Sequence, residues 1–362
     1  MTRETTTQPL FKKVLFGILA GFLSLAFLLL CGEFLVRLKR HSLFDTSNVR
    51  ERYLKDIAGR APASHDPLLG YVPRPGSTLR YDGRAITVNA QTLRTNGDIP
   101  AGRGGLILAV GDSFTWGDGV SDNETWPACL QATLSRPVVN GGVFGYGFDQ
   151  TVLRAEKLVP LLRPQLLLAS LIPSDVYRCG LSYRNVWKPY FDIQNSSLVL
   201  KNVPVPASQR KDPQRWLFDC LGYSHLADYT FRALASQWWF ESSLRQVAHA
   251  RHEQVASLLV DRLAQLARAS HCGLILVIQA ERSIPTPGDT MILPVIRRAQ
   301  ELGVPMIDLM PLTYSLFQGS PELEGAFWHK SHMSKAGNAW VAKAIATRLV
   351  DMEPLFKDGG KR

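Results

Sequence analysis

Apolar residues occur along this chain in runs of contrasting length. Residues 14–32 carry no charge at all, and past the lone Glu33 the run resumes with Phe34, Leu35 and Val36. At ~1.5 Å rise per residue such a helix comes close to spanning a ~30 Å hydrocarbon layer, so one transmembrane helix is predicted over 14–36. Much shorter apolar runs follow at 106–110, 137–141, 165–172, 273–279 and 304–309, each bounded by Gly, Pro or polar residues. Short continuous runs of this kind read as strands covered on both faces. Between them, helical patterning is expected at 124–135 with Asn123 as its cap, from Asp149 to near Pro160, at 249–269, at 290–302, and from Ser334 onward. Strand and helix thus alternate, which predicts an α/β domain built on a parallel sheet.

The regions between these runs suggest boundaries. Residues 1–37 form a tail and anchor, and the basic, polar stretch 38–64, closed by Pro62, reads as a juxtamembrane stalk. Residues 65–104 hold turn-forming Pro and Gly and a Tyr81-Asp82-Gly83-Arg84 turn, which predicts a small β element with a hairpin. The α/β domain would run over 65–351, followed by a basic tail, 352–362. Its alternation breaks at 179–248, an insert or lid. The aromatics there, Trp187, Tyr190, Trp216, Trp238 and Trp239, suit either a surface that stacks on sugar or acyl groups or the core of a subdomain. Cys179 and Cys220 bracket the insert and are candidates for a disulfide.

Charge adds a location. Of a formal net charge of +10 over 362 residues, half arises in residues 1–60, where ten Lys/Arg face five Asp/Glu. That concentration fits a membrane flank and argues against a nucleic-acid surface. Arg3, Lys12 and Lys13 precede the apolar helix and Arg37, Lys39 and Arg40 follow it, so the positive-inside rule does not orient it. A cleaved signal peptide is the rival reading, but the run exceeds a typical h-region and no small-x-small site follows. A lipoprotein reading of Cys31 meets Leu30 where a small residue is expected.

The strand at 106–110 ends at Gly111-Asp112-Ser113. A serine hydroxyl there is inert unless a base takes its proton and backbone N–H groups stabilise the oxyanion; without them Ser113 merely caps a turn. The stretch has neither the Gly-x-Ser-x-Gly elbow nor a Walker loop. The Gly-rich turn Asn140–Gly147 lacks a dinucleotide fingerprint, and its Gly145 is a candidate oxyanion donor. His332 lies in a loop before the last helix and is the candidate base. With His329 it also makes a His-x-x-His pair, but no third ligand is evident, and neither metal nor cofactor is expected. A second such pair, His249 and His252, is expected in a solvated helix.

Taken in order, Gly111-Asp112-Ser113-Phe114-Thr115, the Asn140–Gly147 turn, Pro173-Ser174-Asp175 and the His332 block resemble the SGNH (GDSL-type) hydrolase family. The first block, followed by Asp122–Pro127, looks like membrane-anchored bacterial members. The resemblance covers roughly 105–175 and 273–350. It implies a flavodoxin-like three-layer α/β/α sandwich and ester chemistry, often removal or transfer of acetyl groups on envelope polysaccharides. It further implies a single-pass protein of a bacterial inner membrane, its catalytic domain in the periplasm or outside the cell, working on an ester or carbohydrate substrate beside envelope polysaccharide machinery. Ser113 matches the nucleophile and one oxyanion donor, Gly145 the second donor and His332 the base. Two positions depart: Ser174, a candidate third oxyanion donor through its shorter hydroxyl, stands where the family has Asn, and His329, a candidate orienting residue whose neutral imidazole can accept from His332, stands where it has the Asp of Asp-x-x-His. A neutral imidazole does not stabilise an imidazolium as a carboxylate does. Asp308 and Glu324 are therefore candidate replacements for the orienting acid. An alternative of another class follows from the same departures, a binding or scaffold module that kept the fold and lost the chemistry.

Overall fold

A computed structural model describes residues 10–52, 63–81, 83–97, 105–207, 215–241, 245–282, 287–318 and 320–357. The chain divides into two compact units, Met1–Arg60 with Arg210–Arg245, and Ala61–Gln209 with Gln246–Arg362.

The larger unit is built on five strands, in chain order Ile107–Val110, Val138–Asn140, Leu166–Leu171, Gly273–Ile278 and Met306–Asp308. Across the sheet the second lies beside the first, followed by the third, fourth and fifth, and every neighbouring pair is parallel. This is the flavodoxin-like order, whose switch point falls between the first and third strands. Period-two alternation sorts the side chains. Leu108, Val110, Leu167, Ala169, Leu274 and Leu276 pack under the helices Phe148–Leu162, His252–Ala269 and Leu293–Glu301. Ile107, Ala109, Leu166, Leu168, Ile275 and Val277 pack on the other face, under Trp126–Leu134 and Lys335–Lys357. The result is the expected three-layer α/β/α sandwich, each fully buried Leu or Ile contributing about 1.5–3 kcal/mol.

Local chemistry moved several boundaries. Thr125, not Asn123, caps Trp126–Leu134, its hydroxyl accepting from the Ala128 N–H, because Asp122–Glu124 forms its own 3-10 turn first. Asp149 is no cap: Gly147 holds that position, and the Asp149 carboxylate turns inward to the buried Lys188. That helix also runs on through Pro160 to Leu162. His249 lies outside the helix that starts at His252, with Nε2 2.7 Å from the Phe191 carbonyl. The β element is two hairpins, Ala63–Asp66 with Gly70–Pro73 and Thr78–Tyr81 with Arg84–Thr87, the second paired out to Tyr81 and Arg84 as its turn required. The last helix, Lys335–Lys357, occupies the start of the expected 352–362 tail.

The region 179–248 is split between the units. Its first part contributes the strands Leu181–Arg184, Val186–Trp187, Tyr190–Gln194 and Ser197–Lys201 to the larger unit. Its aromatic second part folds in the smaller unit, where Phe218, Trp239 and Phe240 form a core with Phe231 and Trp238 against them. Trp238 and Trp239 are thus core residues, while Trp216 is exposed. Residues 42–52, expected within a stalk, fold against this core: the Arg50 guanidinium lies 3.9 Å over the Phe218 ring, and the Val49 N–H donates to the Gly222 carbonyl. Residues 53–62 of that stretch lie outside the described residues. Cys179 and Cys220 are both free thiols, Cys179 buried and Cys220 exposed, so the disulfide is not formed.

The smaller unit also contains the helix Leu10–Lys39, long and apolar enough to cross a membrane, with a mean hydropathy of 2.7 in its most apolar window. Near its end Glu33 accepts hydrogen bonds from the Ser224 hydroxyl and from the His225 and Leu226 N–H groups, the first turn of the helix His225–Leu234.

Candidate active site

Ser113 lies just past the carboxyl end of the first strand, beside the switch point where open α/β sheets place their chemistry. It opens a four-residue helix, Ser113–Trp116, whose cap is the Asp112 carboxylate accepting from the Phe114 N–H at 2.9 Å. The other oxygen of Asp112 accepts from Arg178, which also donates to the Tyr146 carbonyl and to Asp175. Arg178 thereby ties the Gly-rich turn to the nucleophile's turn. Burial pushes the Asp175 carboxyl well up, Asp112 adding repulsion and Arg178 opposing it.

His332 comes from a two-residue ribbon, Trp328–His329 paired with His332–Met333. Its Nε2 lies 3.0 Å from Ser113 Oγ, hydrogen-bond reach for a nucleophile and a base. The ribbon is held from below: Met333 is buried, and the buried Asn338 accepts from the Trp126 N–H and donates to the Met333 carbonyl. The imidazole also packs beside the Phe114 ring, centroids 5.4 Å apart.

Gly145 stands at φ +73°, which favours glycine, and a Cβ there would lie 2.4 Å from Arg184 Nη1. Its carbonyl accepts from Arg184. Among the described residues neither the Ser113 N–H nor the Gly145 N–H donates to a protein acceptor. Ser174 opens the helix Pro173–Arg178, and its N–H and hydroxyl face Glu281, where they oppose the upward push of burial on that carboxyl. Its donors are thus drawn toward a carboxylate, unlike those of Ser113 and Gly145.

Among the described residues, none of the candidates for orienting His332 makes a hydrogen bond or ion pair with its imidazole. His329 Nε2 lies 3.4 Å from Arg84 Nη2, a donor for that ring. The Asp308 carboxylate accepts from the Met310 N–H at the start of the next helix. Glu324 sits within the helix Pro321–Phe327, and no hydrogen bond or ion pair joins it to His332 among the described residues. His332 Nδ1 instead meets the Ser331 hydroxyl at 3.2 Å. The carboxylate that does approach His332 is Asp118, its Oδ2 3.7 Å from Nε2.

Sequence reasoning missed Asp118, Arg94 and Arg178. Asp118 had a signal, a polar residue between Gly117 and Gly119 in the same block as Ser113. Arg94 had none. Its buried guanidinium donates to the carbonyls of Trp116, Gly117 and Val120 and to the Asp122 carboxylate.

Ser113 Oγ and His332 Nε2 are brought within hydrogen-bond reach, the pairing by which a base can activate a hydroxyl. No family model and no curated protein matches the chain. It is similar to solved structures of a lipolytic protein of the G-D-S-L family from Desulfitobacterium hafniense (16% identity, 67% of this chain and 98% of that one, TM-score 0.39), an acetylxylan esterase from Geobacillus stearothermophilus (17%, 68% and 95%, 0.39) and a psychrotrophic esterase from Pseudoalteromonas (11%, 69% and 98%, 0.41). At such scores the likeness stands as similarity, and the weight rests on the residues of the site.

Proposed function

We propose that this chain is a serine esterase or O-acyltransferase that works through an acyl-Ser113 intermediate, on small acyl groups such as acetyl carried by an envelope carbohydrate. The observation that carries the reading is the 3.0 Å approach of His332 Nε2 to Ser113 Oγ at the carboxyl rim of a parallel sheet. Ser113 Oγ attacks the ester carbonyl while His332 takes its proton, and the N–H groups of Ser113 and Gly145 receive the oxyanion. Collapse expels the alcohol, which takes the proton back from His332. Water or a sugar hydroxyl then attacks the acyl-enzyme, giving its proton to His332, and Ser113 leaves protonated. Hydrolase and transferase differ only in that second nucleophile. Ser174 belongs to the rim of this pocket, a step behind the two backbone donors.

A fluorophosphonate probe tests this directly. It should form an adduct mapped to Ser113 and absent from Ser113→Ala, with parallel loss of p-nitrophenyl acetate turnover. A folded protein that leaves the probe unreacted would instead support the second reading, a binding or scaffold module. One observation favours that alternative: His332 Nδ1 meets a hydroxyl rather than a carboxylate.

The helix Leu10–Lys39 serves in this reading as a retained single-pass anchor in a bacterial inner membrane, beside envelope polysaccharide machinery, with the Ser113 unit in the periplasm or outside the cell. Its support is Glu33, whose three hydrogen bonds to residues 224–226 would be lost if a signal peptidase cut beyond it. Protease added to spheroplasts should digest the large unit, and a protected large unit would reverse the topology.

A further inference from the structure

We infer that Asp118 supplies the negative charge His332 needs, approaching from the nucleophile's side of the imidazole in place of a carboxylate at Nδ1. This rests on the Ser113–His332 reading above. For Nε2 to take the Ser113 proton it must start unprotonated, so the ring hydrogen sits on Nδ1 and donates to Ser331 Oγ, 3.2 Å away. Once the proton arrives, the new Nε2–H lies with Ser113 Oγ at 3.0 Å and Asp118 Oδ2 at 3.7 Å. The imidazolium thus forms beside an anion and keeps it as a partner while Ser113 Oγ is committed to the acyl carbon. Asp118 takes no proton itself; it acts through His332 and is a positioning residue.

The backbone that carries Asp118 is held to the nucleophile's turn. The Asp118 N–H donates to the Ser113 carbonyl at 3.0 Å, tying it to the nucleophile's own backbone. On either side, the Trp116, Gly117 and Val120 carbonyls accept from the buried Arg94 guanidinium. Gly117, at φ +88°, makes the turn between them, and a Cβ there would meet Thr125 at 2.5 Å. The charged groups facing Asp118 are His332 from the ribbon, Arg94 from the loop before the sheet, Asp112 beside the nucleophile and Arg184 from the strand Leu181–Arg184, with the Tyr71 hydroxyl near the same field. Burial pushes the Asp118 carboxyl up, and His332, Arg94 and Arg184 oppose that push.

The test is the pH profile of p-nitrophenyl acetate hydrolysis by the full chain and by Asp118→Asn. Removing the anion disfavours the imidazolium, so the acidic limb of kcat/KM should move to lower pH by about one unit or more. The plateau should fall ~10²-fold or more, since the transition state contains the imidazolium. Asp118→Glu should return the limb toward its original position. Asp118→Ser gives the same readout should the Asn variant fail to fold. A limb unmoved in a folded, slowed Asp118→Asn would reduce Asp118 to a structural role and overturn the inference. Full activity in Ser113→Ala would instead overturn the reading beneath it.

Discussion

The nucleophile's turn and the base's ribbon meet within hydrogen-bond reach, yet they are made differently. Ser113 is 5% exposed, and its turn is fixed by Asp112, Arg178, Arg94 and the end of a strand buried on both faces. The His332 side chain is 29% exposed, on a ribbon of two residues per strand anchored by Met333 and Asn338. The stiff side therefore sets the geometry, and the softer side is positioned against it. It is consistent that the carboxylate nearest His332 comes from the Ser113 loop rather than from the ribbon. A base whose own element is light gains by leaning on a charge whose backbone is tied to the nucleophile's turn.

The comparison breaks most sharply if either partner proves dispensable. Ser113→Ala and His332→Ala should each lower kcat by ~10⁴-fold or more, and the double variant should lose little further, because nucleophile and base act as a unit. Multiplicative losses in steady-state kinetics would mean that they do not. Next in size is Arg94→Met, which should cost about 3–5 kcal/mol in denaturant unfolding, because it removes the donor to the Gly117 and Val120 carbonyls and breaks the ion pair with Asp122. If stability hardly changed, the nucleophile's side would not be the stiffer one. If Gly145 is the oxyanion donor proposed above, Gly145→Ala should lower kcat by ~10²-fold with a smaller change in KM, since a Cβ against Arg184 must shift its N–H. An effect on KM alone would remove Gly145 from that role. Smallest is His329→Ala, expected to change kcat/KM by no more than about twofold, the scale of a substitution away from the chemistry. A large loss would return the ribbon to a part in orienting His332.

Legibility followed the range of the interactions. The sheet strands were readable because each is a short apolar run buried on both faces, a property of consecutive residues. The helix ends were less so: Thr125 rather than Asn123 became a cap, and Asp149 turned inward to Lys188 instead. Such choices are decided by competing hydrogen bonds of similar strength, which local patterning does not rank. Along the chain 179–248 reads as one interruption because the α/β alternation is a local pattern, whereas its division between the two units rests on contacts such as Trp239 with Arg50, residues far apart in the chain.

The sequence by itself determined the parallel α/β character and the apolar N-terminal helix, because burial patterns belong to neighbouring residues; the roles of Ser113 and His332 came from the resemblance of their motifs, and the fold brings the two within 3.0 Å. Only the tertiary structure decided that His329 goes to Arg84, that Ser174 faces Glu281, and that Asp118 comes within 3.7 Å of His332. Those choices depend on distance and direction between groups on different elements. An electrostatic contact falls off over a few ångströms, a scale fixed only when the sheet, the loop and the ribbon have packed.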